Sequence, residues 1–489
     1  MTRFLGIVLA AAGLLLTASC ASVKNPATGE TQFTTMSLAE ERQIGAQEHP
    51  KILAQFGGEY SDTRVTGYVE RVGRRLAEHA ELPADQFSFT VLDTPVVNAF
   101  ALPGGYVYMT RGLMSYLNSE AELAGVLGHE IGHVTARHGA TRQTRGLFAN
   151  IAVIGAAVLT GSREVAQLGQ VAAAGYLASY SRDQERQSDS LGIRYLSRAG
   201  YNPIGMSDGL RALGRHGALL SRMSGREAQG FNFLSTHPQT PERVAATVEE
   251  AQQTKAVANA RTGRDDYLDA IDGMVFGDSP AQGFARGEEF VHPVLRFAFR
   301  VPQGFRLDNL PQAVIATDSK GAARIIFDQE PDRRIASSGV GMDNYIVRHW
   351  AGNTRLFNLE RITVDGMDGA TASAQIVSNN QRLDAQVVAI RFDRDSIYRF
   401  MFVTTPSSTR AYNEEFRRTT FSFRRLSESE AGSIQPLRLE IVRVKPGDTI
   451  SALTRNDVQD GFEEARFRVI NGMDDKDVLR AGDMVKVIR

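Results

Sequence analysis

The sequence predicts a multidomain α+β protein. A mainly helical first half holds a small sheet with one edge strand, a β-rich domain follows, and a small βααβ module closes the chain. Three observations carry this. Apolar residues recur at helical spacing through much of residues 36–250. From about residue 290 the pattern changes to strand-like alternation. At 489 residues the chain is too long for one compact core. Hydrophobic and charged contents of 42% and 23% are those of ordinary globular protein. A formal net charge of -1 supplies no field that would recruit nucleic acid, so a nucleic-acid partner is not expected.

The chain starts "MTRFLGIVLAAAGLLLTASCASVKNP". Arg3, the apolar run Phe4 to Leu16 and the small residues after it read as a secretory signal over 1–19, too short for a spanning helix. Cys20, the only cysteine, follows "LTAS" directly. "LTASC" resembles a bacterial lipobox, although Thr17 stands where that pattern prefers leucine. The resemblance implies lipidation at Cys20, a membrane partner, and a tether over 20–35. The lack of an aspartate at Ala21 implies sorting to the outer membrane. With Cys20 lipidated no thiol is left for a disulfide, so the core or a metal must hold the fold.

Within 36–250, "FSFTVLDTPVVNAFALPGGYVYMTRGLM" alternates around a "PGG" turn and reads as a β-hairpin, with Pro103 placing a strand at a sheet edge. A helix follows. Ser119 and Glu122 form an S-x-x-E capping box, Leu123, Val126 and Leu127 give its apolar face, and Gly139 is the expected stop. The thirteen-residue apolar run 148–160 reads as a core helix or lid. A second long helix is expected from about Arg163 to Arg198, ended by Gly200 and Pro203. Residues 251–284 read as a helical linker, 285–426 as the β-rich domain and 427–437 as a second linker. No repeat is visible.

Nine histidines occur in the chain, and three of them lie in "VLGHEIGHVTARHG". His129 and His133 are four apart and share a helical face, a spacing that suits two imidazoles on one tetrahedral zinc ion. Glu130 projects beside them, near enough to act as a base without being a ligand. His138, five residues past His133, falls on another side of a continuous helix and reads as an outer or surface residue. In "YSRDQERQSDSLG", Glu185 and Asp189 are also i, i+4 and face the same way. They are either a solvated acidic pair balanced by Arg182 and Arg186, or a ligand and its support. In the second case Glu185 completes a three-ligand site, Asp189 holds the outer nitrogen of a ligating histidine, and Gly192 permits close helix approach.

"HEIGHVTARH", "SRDQERQSD" downstream and "NAFALPGGYVYMTRGLM" upstream together resemble the BepA/HtpX type of gluzincin metallopeptidase. The resemblance covers roughly residues 35–250, with Ser188 replacing the usual alanine. It implies a zincin-type peptidase domain with one zinc ion per chain, ligated by His129, His133 and Glu185, with Glu130 catalytic and Asp189 in support. It also implies that His237, in "STHPQTPERV", can fill the fourth position and hold the enzyme latent. Arg243 would lie nearby, in a salt bridge or on an oxyanion. The hairpin residues Asn98, Ala99, Phe100, Gly104 and Gly105 are the candidate substrate edge.

Residues 438–489, with "KPGDT" and "INGMDD", resemble a LysM module, which implies peptidoglycan binding through residues after Gly447 and around Asn471. The reading these features support is a lipid-anchored periplasmic zinc endopeptidase acting on misfolded or unassembled envelope proteins. The rival is a zinc-containing, non-proteolytic scaffold or chaperone bound to peptidoglycan.

Overall fold

A computed structural model describes residues 21–34, 36–142, 180–224, 233, 237–238, 240–254, 259–378, 381–458 and 460–489. The expected leader, Cys20 and the apolar run 148–160 lie outside the described residues. The chain forms two compact units, Met1–Phe276 with Arg438–Arg489, and Gly277–Leu437. The protein is a multidomain α+β chain with a helical N-terminal region and a β-rich region after it. No helix among the described residues is long and apolar enough to cross a membrane.

The first unit begins with a hairpin of β1 (Ala21–Lys24) and β2 (Thr31–Thr34). The stretch expected as a tether is therefore structured, and the Asn25 side chain donates to the Ala136 carbonyl at 3.3 Å. Helix α1 (Leu38–Gln55) starts at a Ser37–Glu40 capping box. In α2 (Thr63–Ala77) the buried Val65, Tyr68, Val69, Val72 and Leu76 recur at helical spacing.

A three-stranded sheet follows, ordered β3 (Ser88–Leu92), β5 (Tyr106–Thr110), β4 (Ala99–Leu102). β4 and β5 form the expected hairpin, and β4 is the outer strand. The turn needs glycine at Gly105. Its φ is 98°, and a Cβ there would lie 2.2 Å from the Gln86 carbonyl oxygen.

Helix α3 (Glu120–Thr135) is buried along its whole length. Its N-cap differs from the expected box. The Ser119 hydroxyl accepts from Glu122 N, but the Glu122 carboxylate reaches one residue further back, accepting from Asn118 N at 2.8 Å. The stop differs too. The helix ends at Thr135, and Arg137, not Gly139, takes the left-handed conformation at φ 56°. A buried ion pair to Glu41 and a hydrogen bond to the Met36 carbonyl hold Arg137 in that turn. Such a backbone costs a non-glycine residue about 1–2 kcal/mol.

Helix α4 (Arg182–Arg198) opens with a Ser181–Gln184 capping box and packs along α3. A Cβ on Gly132 would lie 3.1 Å from Ser188 Cα, and Gly192 faces the His129 backbone nitrogen. The glycines let the two backbones approach. Helices α5 (Ile204–Ser224), α6 (Pro241–Gln253) and α7 (Arg264–Ile271) complete the helical part.

In the stretch 251–284 expected as a helical linker, Tyr267, Leu268, Ile271 and Met274 are buried, and the Tyr267 hydroxyl donates to the Met114 carbonyl, so this part does not stand free of the first unit. The C-terminal stretch is not a separate body either. It runs β7 (Leu437–Arg443), α8 (Ile450–Leu453), α9 (Glu463–Ile470) and β8 (Met484–Ile488). Its strands join β6 (Val275–Phe276) in one sheet, in the order β8-β7-β6. Fully buried Lys486 donates to the Ser115 and Leu117 carbonyls at 2.9 and 2.6 Å. These are long-range pairings that no local pattern announces.

The second unit is built on a seven-stranded antiparallel sheet, running spatially from Phe305–Leu310 to Leu356–Val364. A four-stranded sheet and the helix Thr409–Ser422 accompany it. Its core is strongly aromatic, with Phe297, Phe299, Phe327, Tyr398, Phe400 and Phe423 in contact. Strands begin at Phe284, and the expected second linker carries a helix, Glu428–Ser433, opened by a Ser427–Glu430 capping box.

Candidate metal centre

The site is assembled from α3, α4 and the segment before α6. His129, His133, Glu185 and His237 each offer one ligand atom, and these atoms lie within 4.8 Å of one another. All four residues are at most 2% exposed. The i, i+4 spacing puts the imidazoles on one face of α3, and their Nε2 atoms are 3.0 Å apart. Glu185, on α4, reaches both: Oε2 is 3.6 Å from His129 Nε2 and Oε1 is 3.5 Å from His133 Nε2. His237 enters through Nδ1, 3.0 Å from Glu185 Oε1 and 3.3 Å from His129 Nε2. A turn of chain aims it there, with His237 N donating to the Phe233 carbonyl and the Phe233 ring stacked on the imidazole at 4.4 Å.

The donor set fits a metal on electrostatic grounds. His129 Nδ1 is 2.8 Å from Asp189 Oδ1, and a carboxylate there accepts the Nδ1 proton. His129 Nε2 is then a bare lone pair directed at a second imidazole nitrogen and a carboxylate. Converging lone pairs in a buried space call for a cation among them. Three nitrogens and one oxygen are a zinc-type set, and zinc is the expected ion.

Asp189 is itself held. Arg243 grips it with two hydrogen bonds of 2.7 Å, and a second arm of the same guanidinium contacts Glu185. Burial pushes the Asp189 carboxyl up, but Arg243 and His129 outweigh it and hold the group below the usual carboxylate range. Of the two roles open to Arg243 in the sequence, the geometry is that of the salt bridge.

Glu130 stands apart from this network. It is fully buried, and neither carboxylate oxygen has a hydrogen-bond partner. His237 Nε2 lies 3.6 Å from its Oε1. Burial raises its carboxyl above the usual range, partly opposed by His237 and His129.

The hairpin residues divide. Asn98 is fully buried, and neither atom of its amide has a hydrogen-bond partner. Ala99 is buried and Phe100 half-buried on the outer strand β4. Gly104 and Gly105 lie in the turn between β4 and β5, close to Glu41, Arg42 and Gln86. The Asn471 amide is buried and bonded to the Lys486 backbone and the Phe467 carbonyl.

Sequence reasoning missed three neighbours. Tyr180 stacks on His133 at 3.8 Å, with the Arg142 guanidinium 4.5 Å from its ring. Phe233 backs His237, and the Thr247 hydroxyl donates to Asp189 at 3.4 Å. The i, i+4 spacing of Phe233 and His237 is the only local signal among them.

Residues 63–251 match the model of Peptidase family M48. The M48 segment thus spans α2 to α6 and includes every residue of the cluster. Across 254 residues the chain is 30% identical to the beta-barrel assembly-enhancing protease of Escherichia coli (strain K12), covering 50% of this chain and 50% of that one. It is 28% identical over 226 residues to the mitochondrial metalloendopeptidase OMA1 of Schizosaccharomyces pombe, covering 45% of this chain and 63% of that protein. It is 29% identical over 191 residues to the metalloprotease YcaL of Escherichia coli (strain K12), 37% of this chain and 71% of that one. The chain spans about half the length of the assembly-enhancing proteases it matches. The matched segment contains the buried cluster, which offers a place for one zinc ion.

Proposed function

We propose that the protein is a zinc endopeptidase of the bacterial envelope that cleaves misfolded or unassembled envelope proteins. The observation that carries this reading is the pairing of a convergent His-His-Glu set with a buried glutamate, Glu130, whose carboxylate has no hydrogen-bond partner. A purely structural site has no use for such a base.

Zinc held by His129, His133 and Glu185 would lower the pKa of a bound water towards 7 and polarise the scissile carbonyl. The chain's own groups do the rest. Glu130 takes the proton of the attacking water and returns it to the leaving amine. Asp189, gripped by Arg243, orients the His129 ring. The outer strand β4 offers its backbone edge to an extended substrate. Such pairing favours unfolded polypeptide.

His237, inside the donor set, supports a latent resting form in which its Nδ1 fills the position that water needs. The same feature is what favours the scaffold reading, in which the plug is permanent. We assign the signal to 1–19, a lipid anchor to Cys20, an outer-membrane, periplasm-facing location, and peptidoglycan contact to 438–489.

The test is metal analysis joined to hydrolysis of an unfolded protein such as β-casein. One zinc per chain, activity lost to a chelator and restored by zinc, supports the reading. One zinc per chain with no hydrolysis by wild type or by a His237→Ala variant would favour the scaffold.

A further inference from the structure

The outer nitrogen of His129 rests on a carboxylate, but that of His133 does not. His133 Nδ1 is 2.9 Å from Nδ1 of His138, and His138 Nε2 is 2.7 Å from Gln187 Oε1. His138 is 3% exposed and Gln187 half-buried. We propose that His138, oriented by Gln187, is a positioning residue that fixes the tautomer of His133 and so commits His133 Nε2 to the metal.

The argument is one of donors and acceptors. A neutral imidazole carries one N–H and one lone pair. With Gln187 Oε1 as acceptor, His138 donates from Nε2, which leaves its Nδ1 as an acceptor. His133 must then donate from Nδ1, and its Nε2 is the lone pair. The reversed chain, with the Gln187 amide turned over, puts the proton on His133 Nε2. That proton would face His129 Nε2 at 3.0 Å and block the cluster. Only the first arrangement leaves the donor set free. The Ser188 hydroxyl, 3.3 Å from His138 Nδ1, is a second donor towards the same acceptor and fits an unprotonated Nδ1. Stacking of Tyr180 fixes the plane of the His133 ring, while His138 fixes its proton.

The fold explains how His138 gets there. On a continuous helix it would face away from His133. α3 ends at Thr135, and the left-handed Arg137 folds the chain back so that His138 covers His133. The buried Glu41–Arg137 ion pair maintains that turn.

This inference rests on the reading of His133 as a zinc ligand, and the test separates the two. Zinc affinity of the full-length chain is measured by competition with a chromophoric chelator. Imidazole ¹⁵N shifts report the tautomer, and thermal melts of the zinc-free protein report the fold. His138→Leu should weaken zinc binding about 10–100-fold with an unchanged melt. His138→Gln, which keeps an acceptor for His133 Nδ1–H, should recover affinity to within about threefold of wild type. If His138→Leu lowers the zinc-free melt, Gln187→Leu carries the test, since it leaves the His138 ring in place. It should mix the His133 tautomers in the ¹⁵N spectrum and weaken zinc binding. Wild-type affinity and tautomer in the informative variant, with Glu185→Ala losing zinc, would overturn the positioning role and leave the metal site standing. Wild-type affinity in Glu185→Ala as well would remove the metal reading itself.

Discussion

Replacing Glu130 with glutamine should separate activity from stability in opposite directions. The carboxylate is fully buried and neither oxygen has a hydrogen-bond partner, so its burial is offset only in part, by the nearby His237 and His129. Burial raises its pKa, which means folding disfavours the charged form. A neutral amide of the same shape removes the charge and breaks no hydrogen bond. The zinc-free variant should therefore melt at or above the wild-type temperature, with a gain of about 1 kcal/mol corresponding to roughly 2–4 °C. The proton relay, in contrast, is lost. General-base catalysis contributes about 10²–10⁴-fold, or roughly 3–5 kcal/mol of barrier at 1.36 kcal/mol per decade. The assay is initial-rate hydrolysis of unfolded casein at matched zinc occupancy, together with scanning calorimetry of the zinc-free chains. Activity within threefold of wild type would refute the catalytic role of Glu130. A lowered melting temperature would refute the claim that burying this charge is a net cost to the fold.

His237→Ala should raise casein hydrolysis several-fold while zinc stays bound, because the imidazole leaves the donor set; equal or lower rates would end the latent-form reading. Gly132→Ala places a Cβ 3.1 Å from the Ser188 backbone. It should destabilise the first unit by about 1–3 kcal/mol in urea titrations and weaken zinc binding as α3 and α4 part. Lys486→Met leaves the buried carbonyls of Ser115 and Leu117 without their donor. The expected loss is on the order of 2–6 kcal/mol in the same titrations. In the second unit, burial lowers the His292 pKa to about 4, and its Nδ1 accepts from Leu295 N. The unfolded chain, with a pKa near 6.5, binds the proton first as pH falls. Stability is thus intact above about pH 6.5 and lost towards pH 4, by roughly 3 kcal/mol in full. Fluorescence of Trp350, the sole tryptophan, reports that unit; a flat profile between pH 6.5 and 4, or an equal slope in His292→Asn, would refute the assignment.

The parts of the site legible in the sequence are those written in local spacing. His129 and His133, and again Glu185 and Asp189, are i, i+4 pairs, and helical geometry alone makes each pair share a face. The glycine at 192 announces a close helix crossing. What local spacing cannot convey is where a helix stops against expectation. With Gly139 as the terminator, helical spacing places His138 away from His133. The actual terminator is Arg137, whose left-handed backbone is sustained by Glu41, 96 positions earlier. The same limit applies to the C-terminal stretch. Its strands and turns are readable, but nothing near Lys486 says that its amine lies beneath the loop before α3. Aromatic alternation made the second unit's strands visible, whereas the Glu428–Ser433 helix was missed although its Ser427–Glu430 box is written in the sequence.

Both ends of α3 are held by segments remote in the chain, and this bears on how the metal cluster keeps its geometry. At the N-terminal end, Lys486 of β8 ties down the carbonyls of Ser115 and Leu117, just before the Ser119 cap. At the C-terminal end, Asn25 bonds the Ala136 carbonyl, and Glu41 with Met36 holds Arg137. On the proposed function α3 carries two ligands and a base and must not slide, because misplacement by about 1 Å can cost catalysis 10²-fold. The glycines that let α4 approach supply little side-chain interlock of their own at the crossing. Fixing α3 at its two ends is the remaining way to hold His129 and His133 against Glu185. Deleting 438–489 should therefore lower zinc affinity as well as stability. If the truncated chain kept wild-type zinc affinity, the C-terminal segment would be an appendage to the peptidase unit and not one of its supports.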